Sequence, residues 1–146
     1  LQQSSRHLTT SRRTVSIIKA DAKELKHKTT MATWHCVKQC GACCHLDPSD
    51  RPDLDEYLSP SELELYLSLV GADGWCVNFD PLTRECRIYD QRPRFCRVEP
   101  EIFYDLYEVE PDDLNDFAID CCRQQIEAVY GHRSLEMQRF NREVET

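Results

Sequence analysis

Nine cysteines stand in this chain of 146 residues, and their spacing sorts them into groups. Cys36, Cys40, Cys43 and Cys44 make C-x3-C-x2-C-C around Gly41. Cys76, Cys86 and Cys96 follow at ten-residue intervals, and Cys121-Cys122 closes the set. A thiolate is both a nucleophile and a soft metal ligand, so several chemistries compete. A disulfide framework suits a small fold in an oxidising compartment. Against it, nine is odd, no stretch has the apolar centre of a secretory signal, and a bridge between sequence neighbours is strained. Inert packing suits one or two thiols, since a free Cys packs as a small hydrophobe, but not four within nine residues. Ligation of a metal ion or cluster accounts for the pattern best. Short spacings let consecutive thiolates converge on one centre, and Gly41 lets the backbone turn tightly around it.

Cys43 and Cys44 bear on the kind of centre. Side chains of neighbours diverge, so both meet one small ion awkwardly, whereas a polynuclear centre offers each a different metal atom. The spacing therefore favours an iron–sulfur cluster, with Zn2+ as the alternative. Cys36, Cys40 and Cys43 also share the C-x3-C-x2-C spacing of radical S-adenosylmethionine enzymes. Those need a large barrel, for which this chain is too short, and Cys44 supplies a fourth thiolate that would close the site. His35 and His45 flank the stretch and read as polar loop residues. Trp34 and Trp75 read as shields against water. Asp47, Asp50, Asp53 and Asp55 lack the Gly and terminal Glu of a calcium loop and read as a solvated acidic segment. No Ser–His–Asp pattern or phosphate-cradling glycine loop appears.

Charge supports the same reading. The chain carries 18 Lys and Arg against 26 Asp and Glu, a net −8, which argues against a nucleic-acid binder. No run approaches the ~20 apolar residues of a membrane span. From His45 onward the balance is −14, yet Arg84, Arg87, Arg92, Arg94 and Arg97 crowd one short stretch. Thiolate-ligated metal centres are anionic, and arginines beside Cys96 can compensate them. Arg92, Arg94 and Arg97 are therefore candidate cofactor-binding residues, donating hydrogen bonds that tune the centre.

These residues need elements to position them. Residues 1–33 read as a basic, Ser/Thr-rich leader, disordered or a transit peptide. The first twenty residues hold Arg6, Arg12, Arg13 and Lys19, seven Ser or Thr and no acid, a composition that points to the plastid stroma, with mitochondrion or cytoplasm as alternatives. Residues 34–146 read as one cysteine-rich domain. Ser59-Pro60-Ser61-Glu62 predicts a helix with a capping box, ending at Gly71 with Leu63, Tyr66, Leu67 and Val70 buried. Two strands, Trp75 to Phe79 and Glu85 to Tyr89, are expected around a turn at residues 80–84. Pro100 opens a short helix through about Tyr107. Pro111-Asp112-Asp113 starts the longest helix, which Gly131 ends, with Leu114, Phe117, Ala118, Cys121, Cys122, Ile126 and Val129 as its apolar line. A last helix is expected from Ser134 to about Glu143. The fold class is thus a small α+β domain, mostly helical with one short β-hairpin. With only 40% hydrophobic residues, its thin core calls for a metal to nucleate it.

The string C-x3-C-G-A-C-C, then W-C, then C-R-I-Y-D-Q-R-P-R-F-C-R resembles the CxxCxxCC or YkgJ family of zinc- or iron-chelating proteins. The likeness runs from about Trp34 to Cys122, and Cys86 to Arg97 is its most specific part. It implies that Cys36, Cys40, Cys43, Cys44, Cys76, Cys86 and Cys96 are metal ligands, with Cys121 or Cys122 as an eighth. A larger kind of member methylates flagellin lysines, but no methyl-donor site is identifiable here.

The expectation is therefore a metal-binding protein holding an iron–sulfur cluster or zinc, acting in electron transfer, metal delivery or assembly, with a protein partner. Two other classes stay open: a metal-dependent enzyme of thiol or methyl-transfer type, and a zinc-stabilised adaptor that binds a protein partner through an acidic face.

Overall fold

In a computed structural model of the chain, residues 32–145 are described. The leader expected over residues 1–33 lies almost wholly outside them. Among the described residues, five helices and one hairpin follow in order: α1 (Leu54–Tyr57), α2 (Pro60–Leu69), β1 (Phe79–Asp80), β2 (Glu85–Cys86), α3 (Pro100–Tyr107), α4 (Leu114–Tyr130) and α5 (Leu135–Val144). Short 3-10 turns at Ala42–Cys44, Pro48–Asp50, Tyr89–Gln91, Arg94–Cys96 and Pro111–Asp113 fill the intervals. The fold is a small, mostly helical α+β domain with one two-stranded antiparallel sheet.

The helix boundaries follow from local chemistry. Ser59 accepts the Glu62 backbone N–H while the Glu62 carboxylate accepts the Ser59 N–H, completing the capping box with Pro60 in the first turn. Such reciprocal bonds satisfy two of the donors that every helix start leaves unpaired. Ser134 caps α5 by accepting the Met137 N–H. Pro100 opens α3, and Glu108 closes it in the left-handed region at φ 58°. Gly131, at φ 104°, closes α4.

Two expectations change. In α2 Tyr66 is buried and Leu63 half-buried, but Leu67 is 48% exposed. Leu69 takes its place beside Val70, which packs against the core as expected, because a stripe at spacings of three through Leu63, Tyr66 and Leu69 rotates Leu67 outward. The hairpin is shorter than expected, two residues a side, with Phe79 opposite Cys86 and Asp80 opposite Glu85. Trp75 and Cys76 instead make single bridges to His45 and Val70, so the first half of the expected strand is used to pin two other segments. At the hairpin turn the Asp80 carboxylate accepts the Leu82 and Thr83 N–H groups, and Arg84 sits at φ 57°.

The interior divides into three small clusters. The first joins Ala32, Val37 and Ala42 to Ile119 and Ile126 of α4 and to Met137, Phe140 and Val144 of α5. The second packs Ile102, Phe103 and Val109 on Phe117. The third gathers Leu46, Leu54, Leu58 and Tyr66. Helix α4 serves two of them. Phe117 and Cys121 face the second cluster, whereas Ile119, Cys122 and Ile126 face the first. Ile119 is therefore a core residue outside the expected apolar line. Adjacent side chains on a helix point about 100° apart, and that turn separates Cys121 from Cys122.

Candidate metal centre

The stretch Cys36–Leu46 has almost no regular structure, so its carbonyls are satisfied by side chains and by neighbouring loops. From α4, Gln125 donates to the Ala42 and His45 carbonyls, and Tyr130 donates its hydroxyl to the Cys40 carbonyl at 2.6 Å. Asn115 accepts the Trp34 N–H at 2.7 Å and donates to the Ala32 carbonyl at 3.0 Å, strapping the entry to the stretch. On the other side the Tyr66 hydroxyl donates to the Leu46 carbonyl, the Cys76 N–H to Cys44 and the Leu46 N–H to Gly74. Gly41 lets the stretch lie on the hairpin. It sits at φ 62°, where a Cβ would stand 2.5 Å from the Phe79 ring and 2.7 Å from the Arg84 carbonyl oxygen.

This scaffold encloses a cavity of about 320 Å3. Six thiols line it: Cys36, Cys43, Cys44, Cys76, Cys86 and Cys96. They arrive from four separate stretches: the Cys36–Cys44 loop, the bridge residue Cys76, strand β2, and the turn ending at Cys96. Val37, Leu46 and Leu69 supply apolar wall, and Arg84 and Arg92 supply positive charge. Cys36 and Cys43 are open to solvent, and Cys44 is buried.

The remaining three thiols lie outside the cavity wall. Cys40 and Cys122 pack on the first cluster, and Cys122 accepts the Trp34 indole N–H at 3.3 Å. Cys122 stands within electrostatic reach of Cys43, Cys40 and Cys36, whereas Cys121 neighbours Cys122, Asp120 and Tyr107 and packs with the second cluster. Of the two candidates for an eighth ligand, Cys122 is on the cavity side of α4.

The thiols perturb one another. Cys44 donates to Cys43, which lowers the Cys43 value below that of an ordinary thiol and holds the proton on Cys44; Arg92 and Arg51 add to the effect on Cys43. Burial pushes Cys96 up to about 12, and the neighbouring Cys43, Cys76 and Cys86 push the same way. Burial also raises Cys36 and Cys40, offset at Cys36 by the Tyr89 hydroxyl and then by Arg92. The sulfurs of Cys43, Cys76 and Cys86 thus share one electrostatic neighbourhood with Cys44 and Cys96 and oppose ionisation of those two. A bound cation removes that opposition, because coordination replaces protons as the thiolates' partner.

The donor set fits a soft metal, since sulfur ligands select zinc, cuprous copper or iron–sulfur clusters. Among the described residues, however, no three Cys, His, Asp or Glu side chains converge closely enough to hold a single ion. The cavity is about twice the ~150 Å3 that admits benzene in an engineered protein core.

Of the arginines expected to support the centre, Arg92 alone reaches it. Its guanidinium lies 3.9 Å from the centre of the Tyr89 ring and donates to the Tyr89 and Cys96 carbonyls. Arg94 pairs with Glu62 and Asp105, tying the turn to α2 and α3. Arg97 donates to the Arg92 and Asp90 carbonyls and pairs with Glu99. Both brace the Cys96 turn from outside. The sequence reading missed Tyr89 as a neighbour of sulfur, and Arg51, whose guanidinium reaches the His45 carbonyl and the Cys43 field. Periodicity could find neither, because both stand on irregular backbone. His45 packs edge-on against Trp75, which stacks on Phe79, and His35 is exposed, so neither lines the cavity.

No helix of the described residues is long and apolar enough to cross a membrane. Comparison with known proteins gives three findings. No solved structure matches the chain at a significant level. An uncharacterized protein of Methanocaldococcus jannaschii is 30% identical over 82 residues, an alignment covering 46% of this chain and 44% of that protein, so the chain spans less than half the length of that relative. Residues 35–122 match the CxxCxxCC family, described as "Putative zinc- or iron-chelating domain", and all nine cysteines fall within the match. By that match, which covers more than half of the sequence, this chain belongs to the CxxCxxCC family of metal-chelating domains.

Proposed function

We propose that this protein holds an iron–sulfur cluster in its thiol-lined cavity and passes electrons, or the metal itself, to a protein partner. The observation that carries the reading is the convergence of six thiols from four chain stretches on one cavity of about 320 Å3. Cys36, Cys43, Cys44, Cys76, Cys86 and Cys96 would supply the ligands, and Cys40 and Cys122 lie within electrostatic reach of Cys36 and Cys43. Such a cluster would provide one-electron chemistry whose potential depends on hydrogen bonds and exposure at the sulfurs. The chain's own part is to gather the thiols round one space, to bury Cys44, and to leave Cys36 exposed at its edge, where a partner can reach it. Arg92 balances part of the anionic charge.

Anaerobic purification with iron, sulfide and zinc analysis tests this. The reading expects a brown protein with iron and acid-labile sulfide in equal amounts. A colourless protein with two zinc ions and no sulfide would replace the cluster with paired zinc sites, which the same six thiols and the exposed acidic body also suit.

A further inference from the structure

Helix α5 buries Met137, Phe140 and Val144, and it buries one acid with them, Glu136, while Leu135 beside it is 70% exposed. A carboxylate taken from water costs free energy unless a charged partner meets it. The partner here is Arg84, which stands 52 residues earlier in the chain at the end of the hairpin turn. Several parts of the thiol cavity meet at Arg84. Its guanidinium carbon lies 5.7 Å from the centre of the Tyr130 ring on α4, and the Tyr130 hydroxyl donates to the Cys40 carbonyl at 2.6 Å. A Cβ at Gly41 would stand 2.7 Å from the Arg84 carbonyl oxygen, so the turn lies close against the cysteine loop. Arg84 lines the cavity, and the cavity thiol Cys86 follows it in β2. Two features leave this turn in need of an anchor. The hairpin pairs only two residues a side, and isolated two-stranded hairpins are marginal at best. Arg84 also sits at φ 57°, a left-handed conformation that a residue with a Cβ keeps when its surroundings fix it.

We propose that Glu136 is a positioning residue of the thiol cavity: by holding the Arg84 guanidinium beside Tyr130, it keeps the hairpin turn seated on the cysteine loop and slows escape of bound metal. This rests on the reading of the cavity as a metal centre. Metal held by Cys86 and by thiols of the Cys36–Cys44 loop is released as those two stretches part, and Arg84 stands at their junction. Glu136 acts through Arg84, whose planar fork of donors gives the contact a direction that a flexible ammonium lacks. Outer partners that orient metal ligands change affinity roughly 10–100-fold when removed, and a residue acting at one further remove belongs at the lower end.

The full chain is loaded separately with Zn2+ and with ferrous iron plus sulfide, then chased with a coloured chelator. Arg84→Met and Glu136→Met, made together, exchange the ion pair for apolar side chains of similar length, a replacement that folds commonly tolerate. The expected result is an unchanged melting curve before loading and metal release about tenfold faster than in the parent. A pair that only stabilised the fold would leave release untouched where melting is parental. Arg123→Met is the control. Arg123 ties α4 to Asn141 and Glu145, away from the cavity wall, so its loss should leave release at the parental rate. Parental release from the paired variant overturns the proposal, as does equal acceleration in Arg123→Met, and both results leave the metal centre intact. If the paired variant melts low, Arg84→Lys is read in its place. It keeps a charge for Glu136 but loses the planar contact with Tyr130; faster release supports the positioning role and parental release overturns it. A parent chain that takes up neither metal overturns the cavity reading and the proposal together.

Discussion

Gly41→Ala tests whether the cysteine loop is fixed by its contact with the hairpin. The substitution adds one methyl group at φ 62°, a left-handed conformation that costs a residue with a Cβ ~1–2 kcal/mol. The methyl would also stand 2.5 Å from the Phe79 ring and 2.7 Å from the Arg84 carbonyl oxygen. The ring belongs to a stack with Trp75 and the carbonyl belongs to backbone, so neither yields freely. Overpacking of this kind costs ~1–3 kcal/mol. Against that, alanine restricts the unfolded chain and returns ~0.4–1 kcal/mol. The net loss is about 2–4 kcal/mol, a large part of the ~5–15 kcal/mol that a domain has, and it lowers the melting temperature by roughly 10–20 °C. If the loop shifts to relieve the clash, Cys43 and Cys44 move with it, and metal content falls as well. Gly131→Ala is the control. Its φ is 104° but a Cβ there meets nothing within 4 Å, so it brings only backbone strain, ~1–3 kcal/mol, and leaves metal content at the parental value. Thermal melts and metal-to-protein ratios on both variants decide the matter. Parental melting and parental metal in Gly41→Ala would refute the idea that this contact positions the thiols.

Three further outcomes are expected. Cys96→Ser removes a cavity thiol and should reduce bound metal at least tenfold, whereas Cys121→Ser, which faces the second cluster, should keep metal and lose ~1–3 kcal/mol of stability for a buried hydroxyl; equal metal loss in both would contradict the division of thiols. With Cys96 raised from 9.0 to about 12, loading must displace its proton, so apparent metal affinity should climb about tenfold per pH unit for each proton displaced. Stability of the metal-free fold carries the opposite sign: the raised value contributes fully below 9.0 and is lost as pH rises towards about 12. Competition titrations and urea melts across this range check the two signs, and flat profiles would remove the buried-thiol argument. Arg94 holds the Glu62 carboxylate below the ordinary 4.5, so the pair adds stability above that value and loses it as pH falls through the lowered one. Arg94→Met should cost no more than ~1 kcal/mol, given that both groups are partly exposed, and should flatten that acid limb in urea melts.

Helix starts were legible because their chemistry is local. Ser59, Pro60 and Glu62 carry the capping box within four residues, and Pro100, Pro111 and Gly131 mark boundaries that the fold keeps. The pairing of strands was less legible. Trp75 to Phe79 has strand composition, but which backbone it pairs with depends on His45 and Val70, far away in sequence. Cys121 and Cys122 show the same limit in a helix. Both fit an apolar line at spacings of three and four, yet the line is wide enough to serve two clusters, and only packing divides them. The thiols of the cavity were legible as a set by type and spacing. The arginines near Cys96 were legible as a local excess of charge, but not by direction: Arg94 and Arg97 turn to carboxylates and carbonyls, and Arg92 alone turns to the site.

The position of the cavity explains why so many sulfurs are spent on one domain. Its walls take Val37 from the first cluster and Leu46, Leu69 and Cys76 from the third. Each cluster is small, and a few buried side chains at ~1.5–3 kcal/mol apiece are set against the entropy of ordering long irregular stretches, ~1–2 kcal/mol per residue. A group bound by thiols from both sides joins the two clusters into one cooperative unit and contributes its binding energy to folding. Ligands drawn only from the Cys36–Cys44 loop would tie that loop to itself and leave the clusters independent. On the proposed ligation, Cys76, Cys86 and Cys96 would make the centre a tie across the fold, and these distant cysteines would matter more to stability than the four that stand together.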